Sequence, residues 1–214
     1  MTNRREFLHL GVAALSLPIA ARAGVLSEHP PGNNEAGEDF LPLYKVFFDE
    51  RFAACRAFGE EMRRYGSLVE AIRGDITQAW YSDLYHEWKL RPAAIAGMTA
   101  PGAVFCLEML ARDAGLGLAL RIDHWRREDG WVEHDFYGPE EALGQVGDFD
   151  ENMDRWPERI TGLVARVPVE QGVMVKSTIS TARAYGSAEP GHLVTWVIAS
   201  LRGKHFRLQH RIAT

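Results

Sequence analysis

From Leu43 onward the apolar positions follow two alternating periods. Short apolar runs at Tyr44-Lys45-Val46-Phe47-Phe48, Leu68-Val69-Glu70-Ala71-Ile72, Ala93 to Met98 and Leu116 to Trp125 have the length and composition of strands. Between them lie stretches whose apolar residues recur with a helical period. The first runs from Glu50 to Tyr65, with Phe52, Cys55, Gly59 and Met62 on one face. The second runs from Ile76 to Trp88 and carries the stripe Trp80, Tyr81, Leu84, Tyr85, Trp88; its Ser82, Asp83 and His86 fall on the opposite, solvated side. The third, Gly102 to Ala114, aligns Ala103, Cys106, Leu107, Leu110 and Ala111. Gly66, Arg91-Pro92 and Gly115 punctuate the three helices. Strand-helix repeated three times and closed by a strand predicts an α/β fold: a three-layer, Rossmann-like or flavodoxin-like, mostly parallel sheet with right-handed crossovers. The third strand, small and apolar on both sides, belongs near its centre.

The second half of the chain changes character. Leu118, Leu120 and Ile122 alternate with Arg121 and Asp123, Glu128-Asp129-Gly130 is a turn, and Trp131 to Tyr137 alternates again. This predicts an antiparallel hairpin extending the sheet in the C-terminal half. A loop centred on Asp129 pairs residues whose numbers sum to 258, so His124 faces His134 on one side and Asp123 faces Asp135 on the other. A helix from Trp156 to about Val167 and strands at Val173 to Thr181, Leu193 to Ala199 and His205 to His210 complete a single domain over residues 43–214.

The first residues have a different logic. Asn3-Arg4-Arg5-Glu6-Phe7-Leu8 precedes an apolar run from Leu10 to Ala20 and the small-residue pattern Ala21-Arg22-Ala23. This segment resembles a bacterial twin-arginine (Tat) signal peptide, with cleavage after Ala23. The resemblance implies engagement of the Tat translocase, export of an already folded chain and a periplasmic location. It names no cofactor. The apolar run is shorter than the roughly 20 residues that span a bilayer, so no stable membrane insertion is expected after cleavage. Residues 24–42, with His29-Pro30-Pro31-Gly32-Asn33-Asn34, read as a linker. The chain has 24 basic and 29 acidic residues; losing Arg4, Arg5, Arg22 and Glu6 leaves a net charge near −7. That balance argues against nucleic acid as a partner. Cys55 and Cys106, both on predicted apolar stripes, are expected as buried thiols.

Candidate chemistry follows from the fold. In a parallel sheet, ligands collect where strands end and helices begin. The three loops there offer Asp49 and Arg51, then Arg73, Asp75 and Thr77, then Thr99 and Gly102 as ligand-binding residues. Asp49, Asp75 and Thr99 are equally suited to cap helices. No Gly-x-Gly-x-x-Gly or Walker-type loop supports a nucleotide. The expected function is an exported protein that binds a small polar molecule or docks on an exported partner protein, such as a redox enzyme. One alternative is a hydrolase or isomerase using the strand-end Asp, Thr and Arg residues. A second is a metal-binding protein in which His124 and His134 are joined by His192, His205 or His210. Exchanging Arg4 and Arg5 for Lys should leave the uncleaved chain in the cytoplasm, whereas the exported protein should begin at Gly24. Fractionation and N-terminal sequencing check this; wild-type protein retained in the cytoplasm overturns it.

Overall fold

The computed structural model describes residues 40–144, 146, 155–181 and 191–201, and the backbone of 208–210. The expected signal peptide, cleavage site and most of the linker lie outside the described residues. No helix among the described residues is long and apolar enough to cross a membrane.

The described chain alternates strands and helices up to β4 and is mostly strand thereafter. Strand β1 (Leu43–Asp49) leads to helix α1 (Ala53–Arg64), β2 (Val69–Ile72), α2 (Thr77–Ala79) and α3 (Tyr85–Leu90), then β3 (Ala94–Thr99), α4 (Pro101–Asp113) and β4 (Leu116–Arg126). After the turn come β5 (Val132–Pro139), α5 (Glu140–Leu143), α6 (Trp156–Val164), β6 (Met174–Thr181), β7 (His192–Ser200) and the short β8 (Leu208–His210). The predicted second helix is present, but a π-helical turn over Trp80–Leu84 separates α2 from α3. The wider turn shifts the aromatic stripe. Leu84 and Trp88 are buried, while Tyr81 is 68% exposed. In α4 the buried positions are Ala103, Val104, Leu107 and Ala111. Cys106 is therefore exposed rather than buried, and Cys55 alone of the two thiols lies in the core.

The sheet order is β2-β1-β3-β7-β4-β5-β6-β8. Strand β1 pairs in parallel with β2 and β3, as the sequence predicts. The mostly parallel arrangement stops there. Strand β7 enters between β3 and β4, antiparallel to both, and β4-β5-β6 is an antiparallel meander. Antiparallel pairings predominate among the described strands, so the domain is a mixed α/β sheet. The physical reason lies in β7. Leu193 to Ala199 are all buried, so this strand needs cover on both faces and takes a central slot instead of an edge.

Two cores result. Val46, Phe48, Met98, Leu120, Ile122 and Phe136 form one face with residues of α1 and α6. Phe47, Ile95, Trp196 and Ile198 form the other with residues of the α2–α3 segment and α4. On this second face β4, β5 and β6 instead carry Arg121, Asp123, Asp135, Tyr137, Lys176 and Thr178, which are half-buried or exposed.

At the seam, the ring of Trp196 lies over Gly97. A Cβ at Gly97 would stand 2.5 Å from the indole and 2.6 Å from the Phe47 carbonyl oxygen. Gly97→Ala should therefore lower stability by about 1–3 kcal/mol, the usual cost of overpacking a core. Urea unfolding measures it, and an unchanged midpoint would refute this account of the seam.

Candidate functional site

The strand-end residues are largely occupied with one another. Asp49 is fully buried at the end of β1. Arg51 grips it with Nε on Oδ1 at 2.8 Å and Nη2 on Oδ2 at 2.6 Å, and its backbone N–H donates to Oδ1 at 3.2 Å. Asp49 does not cap α1, whose N-cap is Phe52 without a side-chain hydrogen bond. The Arg51 guanidinium fills the space beside Gly74, where φ is +81° and a Cβ would fall 2.2 Å from Nη2; only glycine fits that position.

Arg73 pairs with Glu50 at 3.1 Å. Asp75 accepts the Thr77 backbone N–H at 2.8 Å, which anchors the start of α2. Hydrogen bonding to Thr77 holds the Asp75 carboxyl below its ordinary range. Arg73 and Asp75 border a hollow of about 400 Å³ with Glu50, Glu70 and Gln78. Thr99 does not join them. It is fully buried, accepting the Trp196 Nε1–H at 3.1 Å and donating to the Ala100 carbonyl at 3.0 Å. Gly102 sits in the first turn of α4 with open space around it. The first two loops thus meet, while the Thr99 hydroxyl is spent in the core. Asp83, expected on a solvated face, instead accepts hydrogen bonds from Tyr44 Oη at 2.7 Å and from Lys45 Nζ.

The hairpin has the predicted register, with His124 opposite His134 and Asp123 opposite Asp135. Gly130 closes its turn at φ +86°. The burial of the histidines was not legible in this way. His124 is 2% exposed and His134 is inaccessible, covered by Trp156 of α6 with ring centroids 4.6 and 4.9 Å away. Their Nδ1 atoms meet at 2.7 Å. The Nε2 atoms reach Thr195 and Thr181, each at 2.8 Å. Such a contact requires one Nδ1 to donate and the other to accept. The result is a directional chain, Thr195–His124–His134–Thr181, in which both imidazoles are neutral. Burial first, and then the repulsion that a protonated His134 or His192 would exert, push His124 well below its ordinary pKa. Burial alone takes His134 down to about 3.

This geometry does not suit a metal. Each imidazole spends both nitrogens on hydrogen bonds, and the facing pair touches directly. No group of three His, Cys, Asp or Glu among the described residues could hold an ion. Of the proposed third ligands, His192 bonds Asp123 on the opposite sheet face, His205 lies outside the described residues, and only the backbone of His210 is described.

That opposite face holds the constellation that sequence reasoning passed over. Arg121 donates from Nε to Asp123 Oδ2 at 2.7 Å and from Nη2 to Oδ1 at 2.8 Å. His192 Nε2 adds a hydrogen bond to Oδ1 at 2.7 Å, and its ring stacks on Trp125 at 3.6 Å. Burial alone would raise the Asp123 pKa, but the bonds from Arg121 and His192 outweigh it and keep the carboxylate charged. Next to this pair, Thr178 donates to Asp135 Oδ1 at 2.7 Å, and Lys176 Nζ lies 6.0 Å from the centre of the Tyr137 ring. Burial raises the Tyr137 pKa, so its hydroxyl stays protonated. Together Arg121, Asp123, Asp135, Tyr137, Lys176 and Thr178 line an open groove of about 590 Å³. The missed signal was available as charged residues at alternating positions, Arg121 and Asp123 on β4 and Asp135 on β5, with Lys176 on β6.

Comparison with protein-family models, curated proteins and solved structures finds no match to this chain. The site is therefore read from its own chemistry.

The buried imidazoles bind protons more weakly in the folded chain than in the unfolded one. Their contribution to stability is complete above pH 6.5 and is lost as pH falls from there toward 3. Denaturant titrations between pH 7 and 5, where ordinary carboxylates contribute little, should show a loss of up to about 1.4 kcal/mol per pH unit for each histidine. A flat profile in that window would contradict the neutral pair.

Proposed function

We propose that this chain is an exported protein that binds a small polar ligand on the face of β4, β5 and β6. The observation that carries the reading is the 590 Å³ groove of charged side chains on a part of the sheet face where no helix among the described residues supplies core. Its size falls in the range of small-molecule sites. The strand-end residues favour it less, since Asp49, Arg51, Asp75 and Thr99 are committed to internal hydrogen bonds. Export and periplasmic residence rest on the resemblance of residues 1–23 to a twin-arginine signal.

A second reading, an enzyme, draws on one arrangement. His192 is held by Asp123, itself held by Arg121, which is how a general base is oriented. The two readings differ in outcome: a bound compound that is turned over by the wild type but not by His192→Gln favours catalysis.

Thermal unfolding with small acids, amines, amino acids and sugars tests the binding reading. A true ligand at a hundred times its Kd adds about 2.7 kcal/mol, several degrees of Tm for a domain of this size. Thr178→Trp, which fills the groove from an exposed position, should abolish the shift without lowering the Tm of the free protein. A shift that survives this substitution places the ligand elsewhere, and no shift with any compound removes the proposal.

A further inference from the structure

The groove's charges are not equally available. Arg121 and Asp123 neutralise one another through two hydrogen bonds, and His192 takes a further position on the carboxylate. What remains is one cation and one carboxylate. Among the described residues neither Lys176 nor Asp135 forms an ion pair, with each other or with any other side chain. Among the described residues Asp135 has only the Thr178 hydroxyl, on one of its two oxygens.

The register fixes where these two groups stand. Asp135 faces Thr178 and Tyr137 faces Lys176 across the β5–β6 pair. Lys176 and Asp135 are thus diagonal neighbours on one face, about 7–8 Å apart at the backbone. The Tyr137 hydroxyl, kept protonated, is a donor beside Lys176.

Two cations and two carboxylates make the groove neutral as a whole but dipolar in its unpaired part. A simple anion drawn to Lys176 meets Asp135, and a simple cation drawn to Asp135 meets Lys176. A molecule carrying both charges satisfies both ends at once.

Resting on the groove reading above, we propose that the ligand is a small zwitterion of the amino-acid kind, its carboxylate on Lys176 and Tyr137 and its ammonium on Asp135. The half-exposed Trp125 with its stacked His192 borders the same face and offers an apolar edge for the ligand's side chain.

The test is calorimetric titration of the mature protein at low salt with a set of free α-amino acids, their N-acetyl derivatives and their carboxamides, and with monosaccharides as uncharged polar controls. A free amino acid should bind. Blocking either end should weaken it about 10–100-fold, the value of a charge-assisted hydrogen bond. Asp135→Asn should erase the preference for the free amine over its N-acetyl derivative, and Lys176→Gln the preference for the free acid over its amide. Asp135→Asn is isosteric and Lys176→Gln removes the charge at an exposed position, and circular dichroism confirms the fold. Binding in which the blocked derivatives are as good as the free amino acid, or binding of sugars alone, overturns the zwitterion and leaves the groove as a ligand site. If no compound binds, or if Thr178→Trp leaves binding intact, the groove reading falls as well.

Discussion

The indole of Trp196 lies across Gly97, stacked near Phe47 with ring centroids 6.5 Å apart and tied to Thr99 through its N–H. That contact seats β7 against β3, and much of the remaining architecture follows from it. With β3 on one side and β4 on the other, β7 joins a parallel trio to an antiparallel meander. The strand is apolar on both faces because helices cover both sides of it. Strands β5 and β6 lie further out, and on the second face their side chains are charged or polar. The open groove is a consequence of where β7 sits.

Strands β4 and β5 then serve two environments at once. On one face the period of two sends His124 and His134 under Trp156; on the other it sends Asp123 and Asp135 into the groove. The same physics gives opposite protonation states. A buried imidazole without a counter-charge stays neutral, because charging it would cost more than the proton gains. A carboxylate gripped by a guanidinium stays charged although it is half-buried. The inward face is thereby a rigid, uncharged hydrogen-bond chain, and the outward face keeps charge available for a partner.

At the other end of the sheet, polar residues are held for structure. The Asp49–Arg51 pair shows the pattern: a carboxylate with no solvent access meets two guanidinium nitrogens and a backbone N–H. Such a pair is costly to break from one side, since it would leave a buried charge uncompensated. Lys45 between Glu70 and Asp83 repeats the pattern from the other side, with the cation as the more buried partner. Residues that satisfy one another this fully have little left for a ligand.

The sequence by itself determined the elements and the hairpin register. Apolar periods marked nearly every strand and helix, since burying one face of a local element imposes its period. The Glu128-Asp129-Gly130 turn set His124 against His134, since a short loop fixes the count of residues on either side. Strand order was not legible. Whether β4 lies beside β3 or beyond β7 depends on a partner far downstream in the chain, and the sequence marked Leu193 to Ala199 as a strand without placing it in the sheet. Nor could alternation say which face of the hairpin would be covered. It separates two sets of side chains, but only the docking of α6 decided that the histidines are the dry set and the aspartates the wet one. Burial is a property of what arrives from elsewhere in the chain, so the candidate site took its character from tertiary structure.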